Sequence, residues 1–326
     1  MPYHSYQELI GLFLNLERSR PGAVSHEVVG RTVRGRDIYL FRVGSPSRPR
    51  VLFLGSIHGN EHPGGELLYL YAEWLVGERE PDASRILRGA CTLILPVANP
   101  DGFESWTRQN ANCVDLNRNF PKGWGGVGSS PGTCCGTCRG GSPADQPETQ
   151  AVIGAARRWR PLWALDVHSG TEVLAYPWSC WTDPPRDRDR FEGVCSRHRE
   201  VARERGVEPY PTGQVPLART LGRPVDMAVP VVVPLAPYVI YQCCGTSIDT
   251  LYDMGVKAMV LECSHSYNPD YEELAGRYFP RFLAVAIPLS ETAMEEGSRG
   301  VPLWALAGAA FAASLGFAYA ASRRRG

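Results

Sequence analysis

Four short apolar runs, each closed by polar residues, constrain this chain more than any other feature. They are Val51–Ile57 (VLFLGSI), Thr92–Ala98 (TLILPVA), Leu162–Val167 (LWALDV) and Val256–Leu261 (VKAMVL). Runs of this length read as buried strands. Longer stretches with helical periodicity surround them: residues 6–17, Gly64–Val76 and Pro147–Trp159. The last comes after Asp145-Gln146 and has Pro in its first turn, an arrangement suited to a helix start. Strands alternating with helices predict an α/β fold. A single domain is expected, with a mixed, largely parallel sheet covered by helices on both faces.

The polar residues that close the runs point to a site. After the first run comes His58-Gly-Asn-Glu61, after the second Asn99-Pro-Asp-Gly102, after the third His168-Ser-Gly, and after the fourth Glu262. Ligands in open α/β sheets sit outside the carboxyl ends of the strands, so these clusters can converge. Two imidazoles and one carboxylate (His58, Glu61 and His168) make a catalytic zinc set with an open fourth position; a closed structural site would use four ligands. Glu262, at the end of a buried strand, suits a general base beside a metal-activated water. The bland alternative, a His at a helix N-terminus and a solvated Glu, requires every strand-end cluster to be coincidence.

Composition removes other classes. Hydrophobic residues make up 44% and charged residues 21%, which excludes wholesale disorder. Lys plus Arg equals Asp plus Glu at 34 each, so no basic excess marks a nucleic-acid binder.

In order along the chain, GSIHGNEHPGGE, ANPDGFE, TRQNANCVDLNRNFP, LDVHSG, IYQCCGTSID and VKAMVLE resemble the zinc carboxypeptidases typified by carboxypeptidase A. The resemblance runs from about Tyr3 to about Pro288. It implies one Zn2+ per chain, held by His58, Glu61 and His168, and hydrolysis of the C-terminal peptide bond of peptides or proteins. Carried across position by position, it implies Glu262 as the general base and Arg108 (TRQN) as the group that polarises the scissile carbonyl. Asn117 and Arg118 (LNRN) would bind the substrate's terminal carboxylate, and Tyr241 (IYQ) would close over it. Asp115 (VDLNRN) would orient His58, and Ile248 (TSID) would lie at the base of the side-chain pocket. The chemistry agrees: a guanidinium is a rigid fork for a carboxylate, and a cation beside the carbonyl stabilises the developing oxyanion. Peptide C-termini are the partners so implied, with no nucleic acid and a monomer expected.

Apolar Ile248, with Ala258 and Val260 on the strand face of Glu262, predicts preference for hydrophobic or aromatic C-terminal residues. Asp249 is adjacent, and a register slip would change that answer. HGNE and NPDGFE also look like the regulatory branch of the family, whose members prefer basic ends. Alternatives are a cell-wall (murein) peptide amidase, a deacylase of small N-acyl amino acids, and a pseudoenzyme that binds C-terminal tails without cutting.

The ten cysteines are too few for a small disulfide framework. The resemblance implies a bridge from Cys113 to Cys134, Cys135 or Cys138. Cys180 and Cys195 are candidates for a second, while Cys91 and Cys263 are expected buried and unpaired. His62, His4, His26, His198 and His265 are expected to be structural.

Residues 301–322 carry no charge, and Arg323, Arg324 and Arg325 come directly after them. At ~1.5 Å per residue the stretch is about 33 Å long, enough for a ~30 Å hydrocarbon core. A C-terminal transmembrane helix is therefore expected. The division is 3–290 catalytic domain, 291–300 polar linker, 301–322 membrane helix and 323–326 basic tail. The Arg triplet would stay cytoplasmic and place the domain outside. The first twenty residues show no basic export leader, so the alternatives are an incomplete or mature N-terminus, or a tail anchor with a cytoplasmic domain.

Overall fold

The computed structural model describes residues 3–215 and 242–298. Along the chain lie α1 (Tyr6–Ser19), β1 (Val24–Arg31), β2 (Asp37–Val43), β3 (Arg50–Gly55), α2 (Pro63–Gly77), α3 (Pro81–Gly89) and β4 (Cys91–Leu95). Then come α4 (Pro100–Glu104), α5 (Pro147–Trp159), β5 (Trp163–His168), β6 (Thr171–Tyr176), α6 (Arg188–Glu204) and β7 (Thr212–Gln214). The described chain ends with α7 (Ser247–Asp253), β8 (Lys257–Ser264), α8 (Tyr271–Glu273) and α9 (Phe279–Ser298).

Local chemistry explains the helix starts. Ser5 and Glu8 form a reciprocal cap at the head of α1: the Glu8 amide donates to Ser5 Oγ at 3.3 Å and the Ser5 amide to Glu8 at 2.8 Å. α2 and α5 both begin at a proline, whose missing N–H would be unpaired there in any case.

The strands make one eight-stranded sheet in the order β1-β2-β4-β3-β5-β8-β6-β7. β4, β3, β5 and β8 run parallel at its centre. β2 and β6 flank them antiparallel, so the sheet is mixed. On one face Phe53, Leu165, Val167 and Met259 pack against Leu9 and Phe13 of α1, Leu67 and Leu75 of α2, and Phe282 of α9. On the other, Leu52, Leu54, Ala164 and Ala258 pack against Ala151 and Val152 of α5 and Ile248 and Leu251 of α7. Every residue of β5 is buried. The expected architecture, helices on both faces of a mixed and centrally parallel sheet, is the one observed. The four apolar runs became β3, β4, β5 and β8.

β1, β2, β6 and β7 have no counterpart among those runs. β1 (VSHEVVGR) mixes polar and apolar residues and is buried only at Val24, and β7 is only Thr212–Gln214.

The expected polar linker over 291–300 is helix as far as Ser298, the last described residue. Its charges have partners in the domain: Glu296 accepts from the Trp163 indole and from Lys257, each at 3.1 Å, and Glu291 meets Arg85 at 2.5 Å. Ala293 between them is fully buried. Polar composition therefore concealed a docked helical turn. Residues 301–322 and the Arg triplet lie outside the described residues. Among the described residues no helix is long and apolar enough to cross a membrane.

The bridges also differ from expectation. Cys135 pairs with Cys138 and Cys180 with Cys244, while Cys113, Cys134 and Cys195 are thiols. Cys195 faces the core from α6, beside Phe191 and Val194. The segment after β6 instead runs beside the segment before α7: the Cys243 amide donates to Ser179 O at 3.1 Å, which leaves the Cys180 and Cys244 Cα atoms 4.4 Å apart. Cys113 stays next to Cys134, whose amide donates to Cys113 O at 2.7 Å, without a bond between them. Cys91 and Cys263 are buried and unpaired as expected.

Candidate functional site

The parallel strands deliver their carboxyl ends to one edge, and three of the four polar clusters meet in one cavity there. The second does not line it: Asn99 instead caps α4, and Asp101 pairs with Arg36 at 2.6 Å. After β3 the chain turns sharply through Ser56 in the left-handed region (φ 49°). Ser56 Oγ donates to Glu61 O at 3.0 Å and accepts from the Gly65 amide at 3.2 Å, fixing the turn to the start of α2. Gly59 sits so close to the turn after β4 that an added Cβ would lie 2.1 Å from the Gly102 carbonyl carbon. Only glycine fits there.

This turn aims His58 and Glu61 at His168, the last residue of β5. His58 Nδ1 lies 2.8 Å from Glu61 Oε1, His168 Nδ1 lies 2.9 Å from Glu61 Oε2, and the two Nδ1 atoms are 3.1 Å apart. All three residues are buried. The opposite ring nitrogens meet carboxylates: His58 Nε2 is 3.1 Å from Asp115 Oδ1 and His168 Nε2 is 3.2 Å from Asp166 Oδ2. His58 Nε2 is within hydrogen-bond reach of Asp115 and His168 Nε2 meets Asp166 as an ion pair, so both Nδ1 atoms are turned toward each other and Glu61. Such a donor set is repulsive without a cation between its members, and it suits zinc. The Nδ1 separation is also close to the ~3.3 Å edge of a tetrahedron with zinc–nitrogen bonds near 2.05 Å. His58, Glu61 and His168 therefore fit a metal ion, with ligand atoms all within 4.8 Å of one another.

The charges show the same demand for a cation. Burial works against ionisation of Glu61, yet His58 and His168 overcome it and hold the carboxyl well below the usual range. Burial likewise opposes a charge on His168, yet Asp166 and Glu61 raise its pKa well above that of a free imidazole. Asp115, also buried, is held low by His58, Arg118 and Arg108. Glu262 lies opposite His168 in the β5–β8 register. Burial, reinforced by Glu61 and opposed by His168, pushes it up to about 8 in the protein alone.

Arg108 spans the cluster. Its Nε and Nη2 each lie 3.0 Å from Asp115 Oδ2, and its Nη1 lies 3.2 Å from His58 Nδ1. Arg118 is buried against the opposite wall, donating from Nε to Gly128 O at 2.8 Å and from Nη1 to Asn117 O at 2.7 Å. Asn117 Oδ1 accepts from the Ser247 amide at 2.9 Å. One cavity of about 180 Å³ brings together His58, Glu61, His168, Glu262, Arg108, Asn117, Arg118 and Ile248, with Val260, Val215 and Cys243 in its walls. Asp115 stands behind His58, outside the lining. Ala258, expected beside Val260, lies deeper in the core. Tyr241 lies outside the described residues.

His62 stays out of the metal set: its ring is stacked 3.8 Å from Phe103 and 3.7 Å from Trp106. Burial lowers its pKa to about 4. Sequence reasoning missed Asp166. It sits two residues before His168 on the same strand face, so the Asp-x-His spacing could have disclosed it.

The profile of the zinc carboxypeptidase family matches residues 11–272. The chain is 30% identical over 266 residues to metallocarboxypeptidase A of Trichophyton tonsurans, a match covering 70% of this chain and 61% of the fungal one. It is 29% identical over 206 residues to the human carboxypeptidase N catalytic chain, covering 54% of this chain and 44% of that one. The match thus spans about half to three fifths of these relatives' own length. In fold it is similar to bovine thrombin-activatable fibrinolysis inhibitor, solved with a tick carboxypeptidase inhibitor: TM-score 0.75, 18% identity, covering 90% of this chain and 98% of the other.

Proposed function

This chain belongs to the zinc carboxypeptidase family, and we propose that it removes single residues, preferentially hydrophobic or aromatic ones, from the free C-termini of peptides or proteins. One observation carries the reading: a buried His-Glu-His set, a carboxylate base and two arginines border a single cavity whose far wall includes Ile248 and Val260. Zinc, when bound by His58, Glu61 and His168, supplies Lewis acidity that activates water and polarises a carbonyl.

The other steps belong to the chain's own groups. Arg118 and Asn117 hold the substrate's terminal carboxylate, Arg118 as a planar fork. That places the last side chain against Ile248 and Val260 and the scissile carbonyl near Arg108, which stabilises the charge developing on its oxygen. Glu262 takes a proton from the attacking water and gives it to the leaving amine as the C–N bond breaks. A cation nearby favours the carboxylate form of Glu262, the form that accepts the proton.

A peptide pool with free and amidated C-termini, incubated with zinc-loaded protein and read by mass spectrometry, tests the proposal. Loss of single hydrophobic residues from free ends only is expected. Products from amidated ends, or no cleavage with zinc bound, would overturn it. The uncharged stretch 301–322 before Arg323–Arg325 supports a tethered domain outside the cytoplasm, and the Cys180–Cys244 bridge suits such a compartment. Protection of the domain from protease added to intact cells would sink that localisation.

A further inference from the structure

We propose that Asp166 and Ser247 are positioning residues that join the metal ligand His168 to the carboxylate-binding residue Asn117, so that ligand geometry and substrate anchoring are set together. Asp166 Oδ2, 3.2 Å from His168 Nε2, also accepts a hydrogen bond from Ser247 Oγ. The Ser247 amide donates to Asn117 Oδ1 at 2.9 Å. The Asn117 amide donates to Asp115 Oδ1 at 3.0 Å, and that oxygen lies 3.1 Å from His58 Nε2. The result is a continuous path of contacts from one metal histidine to the other through two carboxylates, a serine and an asparagine, of which Asp166, Ser247 and Asn117 line the cavity. Of its members, only Asn117 is more than marginally exposed.

Two features make Ser247 more than a packing residue. Asp166 Oδ1 has no hydrogen-bond partner among the described residues and His168 Nε2 meets Asp166 only as an ion pair, so Ser247 makes the hydrogen bond that fixes this carboxylate. Ser247 is also the first residue of α7, directly before Ile248 in the cavity wall. A side chain entering the cavity presses on the same helix turn that holds Asp166 against His168. In a buried, low-dielectric setting the two charge-assisted contacts act cooperatively. Removing either Asp166 or Ser247 weakens the contact that orients the Nε2 side of the His168 ring.

The inference rests on the proposed function only for the role of Asn117; its metal arm is measured without peptide. Zinc affinity by chelator competition and the visible spectrum of the cobalt-substituted protein would be recorded for wild type, Asp166→Asn, Ser247→Ala and the double variant. Each single change should weaken zinc about 10–100-fold, as is usual for groups that orient a ligand. The double variant should bind zinc no more weakly than Asp166→Asn alone, because both changes remove one contact chain. The cobalt bands should shift in both singles, and kcat should fall more than KM rises. Zinc affinity within twofold of wild type in Ser247→Ala, additive losses in the double variant, or a lowered Tm with an unchanged cobalt spectrum would each overturn the proposal. Should Asp166→Asn fail to fold, Ser247→Ala decides alone. A wild-type protein that binds zinc but cleaves no peptide would remove the proposed function and leave these metal readouts intact.

Discussion

Ile248 and Asp249 are neighbours on the first turn of α7 and serve opposite sides of it: Ile248 lines the cavity, while Asp249 accepts the Ser179 and Cys180 amide hydrogens at 2.8 and 2.9 Å. The carboxylate adjacent to the pocket residue is thus committed to holding the segment that carries the Cys180–Cys244 bridge. The turn presents Ile248 to the cavity and directs its acid away from it.

Ile248→Asp should reverse specificity. Burying a large apolar side chain contributes about 1.5–3 kcal/mol, so kcat/KM for peptides ending in Phe or Leu should fall roughly 10–100-fold. Peptides ending in Arg should gain relative to them. An unchanged Phe-to-Arg ratio on matched peptides would remove Ile248 from specificity.

Asp249 predicts a pH dependence of stability. Burial, only partly offset by the Ser179 and Cys180 amides, raises its pKa to about 6. The folded state therefore binds more protons than the unfolded one between pH ~4 and ~6, and this group's contribution falls as pH rises through that window. Denaturant titrations of wild type and Asp249→Asn should differ in slope across pH 4–6. Parallel curves would show that the carboxyl carries no such shift.

Glu262→Gln keeps the shape and removes the proton acceptor. The kcat should fall by about 10²–10⁴, the usual weight of a general base. Zinc content, measured by atomic absorption, should stay near one per chain. Activity within tenfold of wild type would assign the base elsewhere.

Arg118→Ala should abolish discrimination between free and amidated C-termini. A charge-assisted hydrogen bond contributes about 1.5–3 kcal/mol, so kcat/KM on free ends should drop at least tenfold while amidated ends stay equally poor. A preserved preference would place the carboxylate elsewhere in the cavity.

Chelation should destabilise the domain. A ligand held at a thousandfold excess over its Kd stabilises by about 4 kcal/mol, which is several degrees of Tm in a domain of this size. His58→Ala should lower the starting Tm and remove most of the response to chelator. A wild-type Tm indifferent to chelator would mean that the facing Nδ1 atoms of His58 and His168 do not need a cation.

The central strands were legible because they are largely buried on both faces and so read as predominantly apolar runs. The HxxE turn, His168 and Glu262 were legible because they end those runs. β1 and β2 were not, because half-wet strands leave a mixed pattern, nor was β7, which is three residues long, nor β6, which is buried from Glu172 to Tyr176 but opens on the polar pair Thr171-Glu172. The last turns of α9 were hidden by Glu291 and Glu296, which composition assigns to solvent and the fold assigns to Arg85, Trp163 and Lys257. Asp166 was passed over inside LWALDV as one polar residue in an apolar run, although its spacing to His168 put both on one face.

The sequence by itself determined the strand–helix alternation, the donor set His58, Glu61 and His168, and the candidate base Glu262, because periodicity and residue type carry that information locally. Tertiary structure decided which way Ile248 and Asp249 face and that Cys180 meets Cys244. It also decided that Asp166, Ser247 and Asn117 link the two histidines. Those outcomes depend on segments far apart in the chain meeting at one strand edge, where sub-ångström packing, rather than local propensity, selects the partner.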